Sequence, residues 1–560
     1  MIKLKNIIKH IVKRDAILSL INKENKTDVI KAAIITFIYS FCFINIYIGE
    51  ESWFFRVLYY MLSLSLSVAI ASNIKSKKED YFRSSLIKKL IVGVILGWIM
   101  WPGFGELVGP IIGFYLASKK KTDKDNFSFQ KYAWNQFRKN KIALFSLYLL
   151  ATLILIARFA PLIANNQPLY AVYKGVTMYP AFEDKKTTVE IKDPKTGEIE
   201  KLQFDITDWR KLDLESVIFT PIPYSPSFLD KENNDYVSPN GKQKFTNHKG
   251  ELIESPTKFR HHLGTDGKGA DLLSGLIHGT QIALKVGLIS MGIAAFIGII
   301  LGSFAGFFGD RDLKMRRVKY YMTIIGLFFG FFYGFGQRKY AISDGFSQST
   351  SEGMIEFSIS ILMILGITFI FRLLSKLITN KWLSTDIYVP IDSMVSRGIE
   401  ILNSIPRLLL IITVTAIMER SLTIIMVIIG ITGWTRIARF TRAEFFRIKS
   451  LEFVQASKSL GFSSFRTIFK HALPNALAPV FVSIAFGIAS AILIESGLSF
   501  LGIGVPDDVV TWGSLLNLGR GNIEAWWLII FPGIAIFITI TIYNMIAEAS
   551  RDALDPKLKS

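Results

Sequence analysis

Along most of the chain, apolar residues come in unbroken runs rather than at alternating positions, and several runs approach 20 residues. About 20 residues rising roughly 1.5 Å each cross a hydrocarbon core about 30 Å thick, so such runs predict membrane-spanning helices. Spans are expected at about 31–49, 53–73, 142–163, 280–307, 318–336, 354–378, 405–418, 421–437, 476–500 and 525–547. The run 90–117 is long enough for one span, but Pro102, Gly103 and Gly105 interrupt its centre. A single crossing would also place the basic stretch 119–141 outside, so a re-entrant hairpin is expected there. The pattern as a whole predicts an all-α polytopic membrane protein.

Two polar interruptions break the pattern. The first, 165–262, contains "TTVEIKDPKTGEIEKLQFDI", in which polar and apolar residues alternate around Pro-Lys-Thr-Gly. That is the signature of a β-hairpin. A small, partly β extracytoplasmic cap is expected, with a disordered loop as the alternative. The second interruption is "EFVQASKSLGFSSFRTIFKHALPN", 452–475. Leu451, Val454 and Leu460 mark a short amphipathic helix. Gly461 supplies the positive φ that ends it. Ser463 or Ser464 can cap a second short helix through Phe465, Ile468 and Phe469, which Pro474 is expected to close before the next span. Two angled helices fixed at both ends by spans suit a mechanical contact with a partner. An amphipathic loop lying on the lipid surface fits the same residues.

Composition agrees with the membrane assignment: 50% of the 560 residues are hydrophobic and 13% aromatic, with a mean hydropathy of +0.37. The net charge of +20 could indicate nucleic acid, but its placement argues otherwise. Lys and Arg concentrate in 1–31, 75–89 and 119–141, short segments abutting apolar runs, as the positive-inside rule requires of cytoplasmic loops. Segment 165–262 carries 14 Lys/Arg against 15 Asp/Glu, the balance expected of a translocated region. Counting sides from a basic, retained N-terminus places 452–475 in the cytoplasm, and the flanking Arg436, Arg439, Arg442 and Arg447 agree. The single cysteine, Cys42, excludes a disulfide framework within the chain.

Chemistry-bearing motifs are sparse. No G-x-x-x-x-G-K-[ST] phosphate cradle, nucleophile–base pair or metal cluster is present, so neither an enzyme nor a metal site is expected. The pair His261-His262 lacks a third ligand and reads as solvated. Glu495, in "AILIESGLSF", is an ionisable group near membrane depth; it is a possible solute-path residue or a structural hydrogen-bonding carboxylate. Gly298, Gly302 and Gly306 share one helix face, either to admit a close helix neighbour or to face lipid.

"QASKSLG" followed by "IFKHALPN" resembles the EAA loop of ABC-importer permeases, with Gln455 in place of the usual Glu, Ser457 in place of the second Ala, and Gly461 at the defining position. "WNQFRKNKIALFSLYLL", "HHLGTDGKGADLLSGLIHGTQIAL", "ESGLSFLGIGVPDDVVTWGSLL" and "SRDALDPKL" resemble blocks of the dipeptide/oligopeptide/nickel permease family, C-type subunit. Ala270 and Gln281 depart from its usual arginines. "LIANNQPLYAVYKGVTMYP" is similar to the long-loop branch that includes permeases for peptide-like microcins. The resemblance covers about 130–310 and 390–560; nothing in 1–118 or 318–378 matches.

The resemblance implies an ABC type I importer permease core of six spans. Its organisation would be an N-terminal membrane extension (1–118), a first core span (130–164), the cap (165–262), a second core span (263–310), an inserted helix pair (311–390) and the remaining core (391–560), with a coupling loop at 450–475. It implies Gln455, Ala456, Gly461, His471, Leu473, Pro474 and Asn475 as ATPase-coupling residues. Its partners would be a second permease subunit, one or two ABC ATPase subunits, an extracytoplasmic solute-binding protein and membrane lipid, with no nucleic acid. This chain would bind no cofactor, and ATP-Mg would sit on the ATPase chains. The implied location is the bacterial cytoplasmic (inner) membrane, multi-pass, with both termini cytoplasmic. A stand-alone channel and a membrane-anchored scaffold are the competing classes.

Overall fold

The computed structural model describes residues 129–554, apart from short stretches at 185, 193–198, 349, 379–381 and 419. The expected spans at 31–49 and 53–73, the hairpin 90–117 and Cys42 therefore lie outside the described residues. Among those described, seven helices are long and apolar enough to cross a membrane. The described residues divide into two compact units, one formed by 129–286 together with Glu495–Ile546, the other by Gly287–Ile494 together with 547–554.

In the first unit, helix α1 (Phe129–Lys139) stops at Asn140, whose side chain accepts from the Ala143 amide at 3.1 Å and starts α2 (Lys141–Ile163). A short polar residue bonding the first free amides is what a helix start requires. The polar segment that follows is folded. Strands β1 (Tyr170–Tyr173) and β2 (Val176–Met178) form a hairpin, with β5 (Ser216–Ile218) on the other side of β1. Lys174 and Gly175 at the turn both have positive φ, 48° and 78°, matching the twist of tight two-residue hairpins. The hairpin read from the alternating stretch is present as β3 (Thr188–Lys192) paired with β4 (Ile199–Gln203). Its inward residues Ile191 and Leu202 join Tyr173, Met178, Phe204 and Trp209 in a small buried core. A further pair, β6 (Lys244–Thr246) and β7 (Leu252–Glu254), completes the strands here.

Helix α3 (Leu272–Phe308) is 37 residues long. In the second unit its C-terminal half lies along α9 (Leu422–Lys449): a Cβ at Gly298, Gly302 or Gly306 would come within 3 Å of α9 atoms. The inserted pair is a helical hairpin of α4 (Arg317–Phe331) and α6 (Thr350–Leu374), with α5 (Lys339–Gln348) between them. Gly326, Gly330 and Gly334 press against α6 with the same four-residue spacing. Strands β8 (Lys314–Arg316) and β9 (Asp386–Tyr388) tie its base.

Two expected spans take another form. The run expected to cross at 405–418 is an 11-residue helix, α8 (Arg407–Ile417), bent by 78° from the preceding α7 (Ile391–Ser404). Pro406 is the cause: it disfavours helical geometry at the residue before it, and Ile405 is extended at φ −97°, ψ 129°. Eleven residues rise only about 16 Å, short of the full hydrocarbon thickness. The run expected to end at 437 continues instead as α9 to Lys449, so Arg436, Arg439, Arg442 and Arg447 belong to the helix itself.

Candidate functional site: a protruding element and an arginine-lined cavity

The 452–475 segment begins with α10 (Glu452–Ser459), which ends at Gly461 with φ +74°. Ser463 then caps α11 (Ser464–Arg466), its hydroxyl accepting from the Arg466 amide at 3.3 Å. From this point the structure departs from expectation. Pro474 does not close the second helix; the chain passes through a wide π turn (Thr467–Ala472) straight into α12 (Leu473–Phe500). A proline inside a helix removes one i→i−4 bond and crowds that carbonyl. The wider turn immediately upstream gives the carbonyls room, and Asn475 Nδ2 donates to the His471 carbonyl at 2.8 Å. The element is thus continuous with the long helix behind it.

The inner face of the element is anchored. Val454, Ile468, Ala472 and Ala476 are buried with Phe307 of α3 and Phe445 and Ile448 of α9. Ser457, where the family pattern has Ala, is buried too, and its hydroxyl donates to the Phe453 carbonyl at 2.9 Å. The outer face is open: Gln455, Ala456, Gly461, Pro474 and Asn475 are exposed, while His471 and Leu473 are half-buried. His471 stacks on Phe462 at 5.6 Å. The expected apolar stripe is only partly inward, since Leu460 is 72% and Phe465 67% exposed. Leu460 and Phe465 thus add apolar surface to the outer face.

The second unit also contains a cavity of about 760 Å³ between α3, α7, α8, α9 and α12. Its lining includes Arg407, Arg436, Arg439 and Arg442, with Met291, Thr432, Ser483 and Ser490, and no acidic side chain. Arg442 forms a two-pronged pair with Asp392, Nη2 to Oδ2 at 2.7 Å. Arg407 is held without a carboxylate: Nη2 donates to the Ile429 carbonyl at 2.9 Å and Nε to Thr432 Oγ1 at 3.3 Å. Sequence reasoning missed this residue, although an arginine inside the apolar run 405–418 was the same kind of signal as Glu495.

Glu495 belongs to the first unit and is 1% exposed. Ser499 donates to Oε1 at 2.6 Å and Ser496 to Oε2 at 3.4 Å, so both oxygens have partners. Gly513 of α13 (Trp512–Arg520) packs close by; a Cβ there would lie 2.3 Å from the Ser496 carbonyl. This geometry suits a carboxylate that ties a helix end rather than one that meets solute. Glu495→Gln, which keeps an acceptor for Ser499, is expected to leave transport within about twofold, while Glu495→Ala strands two buried hydroxyls and costs about 1–3 kcal/mol. Uptake and thermal unfolding of both variants check this; a Gln variant as defective as Ala would sink it.

The histidine pair is corrected by the structure. His262 is exposed, but His261 is fully buried between two carboxylates, with Nδ1 2.9 Å from Asp271 Oδ2 and Nε2 3.2 Å from Asp230 Oδ2. Arg210 completes the group, clamped by Asp208 at 2.9 Å and lying 3.4 Å from Asp230. Tyr224 stacks on the imidazole at 4.0 Å. Asp271 also accepts from the Ser274 amide at 2.6 Å, at the start of α3. The solvated reading failed because Asp230 and Asp271 lie 31 and 10 residues away in sequence.

Comparison with known proteins agrees with the motif-based resemblance. Residues 386–560 match the family described as binding-protein-dependent transport system inner membrane component, and residues 128–177 match the N-terminal TM domain of oligopeptide transport permease C. The chain is 39% identical over 171 residues to the dipeptide transport system permease protein DppC of Bacillus subtilis, covering 30% of this chain and 53% of that one. It is 37% identical over 168 residues to the oligopeptide transport system permease protein OppC of Salmonella typhimurium, covering 30% and 56%. Over 427 residues it is 24% identical to the inner membrane ABC transporter permease protein YejE of Escherichia coli, covering 76% and 96%. The chain spans little more than half the length of the more identical relatives. The resemblance to ABC-importer permeases of the peptide family therefore holds, on a mostly helical chain with seven apolar helices suited to crossing a membrane.

Proposed function

We propose that this chain is the transmembrane permease subunit of an ABC importer, forming a path for peptides or peptide-like solutes and driven by separate ATPase subunits. The observation that carries this is the 452–475 element. Its inner face is locked to α3 and α9 through buried Val454 and Ile468, its outer face is open, and it continues without a break into α12. A push on such an element moves three long helices together. In this proposal the exposed face, with Gln455, Ala456 and Gly461, sits in a cleft of an ATPase. Closure of two ATPases around ATP-Mg then swings the helices from inward- to outward-facing. The remaining partners are a second permease subunit and an extracytoplasmic solute-binding protein, in a bacterial cytoplasmic membrane with both termini inside.

Gly461 is exposed and a Cβ there would meet nothing within 4 Å, so a side chain leaves the backbone into open space. Its cost to the fold is only the left-handed backbone, about 1–2 kcal/mol for most residues and less for Asn. Gly461→Trp is therefore expected to lower ATP-driven uptake by about tenfold or more while ATP hydrolysis persists. Gly461→Asn should be nearly silent. The test is affinity purification of the tagged full chain in mild detergent, followed by ATPase and uptake assays of each variant. Unchanged uptake with Trp, or failure to recover any ATPase under gentle conditions, would count against the proposal.

A further inference from the structure

We infer that the arginine-lined cavity is a carboxylate-binding station, with Arg407 as its anchor; its place on a solute path rests on the permease reading, but the site itself does not. The volume, about 760 Å³, falls in the usual range of small-molecule sites. Four guanidinium groups line it and no carboxylate does. Only Arg442 is neutralised, by Asp392. Among the described residues Arg407, Arg436 and Arg439 have no carboxylate partner. Like charges gathered in one cavity repel one another, and an entering anion relieves that repulsion.

Arg407 differs from the other two in being fixed. Pro406 sets the start of α8, and the guanidinium then lies across α9 above Gly433, where a Cβ would sit 3.0 Å from Nη2. Ile429 and Thr432 take the Nη2 and Nε donors, leaving Nη1 without a protein acceptor among the described residues. A half-buried guanidinium held in place with donors to spare is prepared to receive a carboxylate at small entropic cost. Arg436 and Arg439 are exposed, so they raise the local potential without fixing a position. Met291, Leu410, Ile437 and Phe440 supply apolar wall beside the charges. The fitting ligand is a small, partly apolar molecule with a free carboxylate, such as a short peptide with an unblocked C-terminus. Anionic phospholipid headgroups offer similar oxygen chemistry, so the test separates the two.

The full chain in nanodiscs of phosphatidylcholine is treated with phenylglyoxal, and modification of Arg407 is followed by mass spectrometry. Tri-alanine is expected to slow modification severalfold, and tri-alanine amide to leave it unchanged. Gly433→Ala crowds the guanidinium, shifting it by a few tenths of an ångström without removing its charge, and should raise the tri-alanine concentration for half-protection severalfold. Equal protection by acid and amide, protection by neither, or protection only when phosphatidylglycerol is added and regardless of peptide, would each overturn the inference. Uptake by the ATPase-bound complex is measured separately. Protection without ATP-driven uptake of either peptide would leave the site standing and remove the permease reading; uptake of tri-alanine without protection would do the reverse.

Discussion

Asp230→Ala is expected to destabilise the folded polar segment by about 3–5 kcal/mol, the usual cost of removing one partner from a buried ionic group. Asp230 is 4% exposed and sits among Arg210, Asn233 and His261, with Asn233 Nδ2 donating to it at 3.1 Å. Its loss leaves His261 with one carboxylate instead of two and Arg210 with only Asp208. A buried network of this kind is weak evidence of high stability, because desolvating the charges offsets most of their attraction. Breaking it is nonetheless costly. Hydrogen–deuterium exchange on the full chain in detergent should show amides of 200–262 exchanging roughly 100-fold faster or more, with the α3–α9 region unchanged. Unaltered protection in 200–262 would show that the small core around Trp209 suffices without the network.

The same group sets a pH window. Both ring nitrogens of His261 face carboxylates, which accept only, so both must donate and the imidazole is charged. Burial by itself lowers the His261 pKa, but hydrogen bonds to Asp230 and Asp271 outweigh it and raise the value above normal. Burial likewise raises Asp230, but the His261 hydrogen bond and the Arg210 charge hold it well below the usual carboxylate range. The histidine contribution is therefore complete below about pH 6.5 and lost as pH rises through the raised folded value. The aspartate contribution is complete above about pH 4 and lost as pH falls through its lowered folded value. Exchange protection of 200–262 should peak between those limits, and His261→Gln should remove the alkaline decline.

What the sequence discloses here follows the range of the forces involved. Long apolar runs declared α2, α3, α4, α6, α9, α12 and α14 (Trp527–Leu554), because crossing hydrocarbon is a property of contiguous residues. The β3–β4 hairpin and the positive φ of Gly461 were equally local and equally legible. Pro474 was misread because its effect depends on the turn before it; a π turn absorbs a proline that an ordinary α turn could not. Pro406 was overlooked inside an apolar run, and with it the bend that opens the arginine cavity. His261 needed two carboxylates, Asp271 and Asp230, 10 and 31 residues away. Nothing in a His-His dipeptide announces them. Residues whose role depends on distant neighbours were the ones the sequence hid.

The second large effect is expected at Gly302, on the seam between α3 and α9. A Cβ there would lie 2.5 Å from the Ala438 carbonyl oxygen and 2.7 Å from Thr441 Cβ. The neighbouring turns are as close: 2.8 Å from Gly298 to Ile437 Cβ and 2.5 Å from Gly306 to Phe445 Cβ. On the α9 side Gly430 returns the contact, 2.8 Å from Ile293 Cβ, and Ser290 donates to the Met426 carbonyl at 2.9 Å. Between helices in lipid there is little hydrophobic drive, so association depends on such close backbone approach. Gly302→Leu must push the helices apart against backbone atoms that cannot rotate away, at a cost of about 3 kcal/mol or more. Gly292 supplies the control, on the same helix, exposed, and with nothing within 4 Å of an added Cβ. The thermal midpoint of the full chain in detergent should fall sharply for Gly302→Leu, clearly for Gly302→Ala, whose Cβ already meets the Ala438 carbonyl, and hardly at all for Gly292→Leu. The displacement should also spoil tri-alanine protection of Arg407, since α3 contributes Met291, and α9 Arg436, Arg439 and Arg442, to the cavity wall. Equal losses for Leu at 292 and at 302 would mean that side-chain bulk anywhere on α3 is harmful, and the seam would lose its special standing.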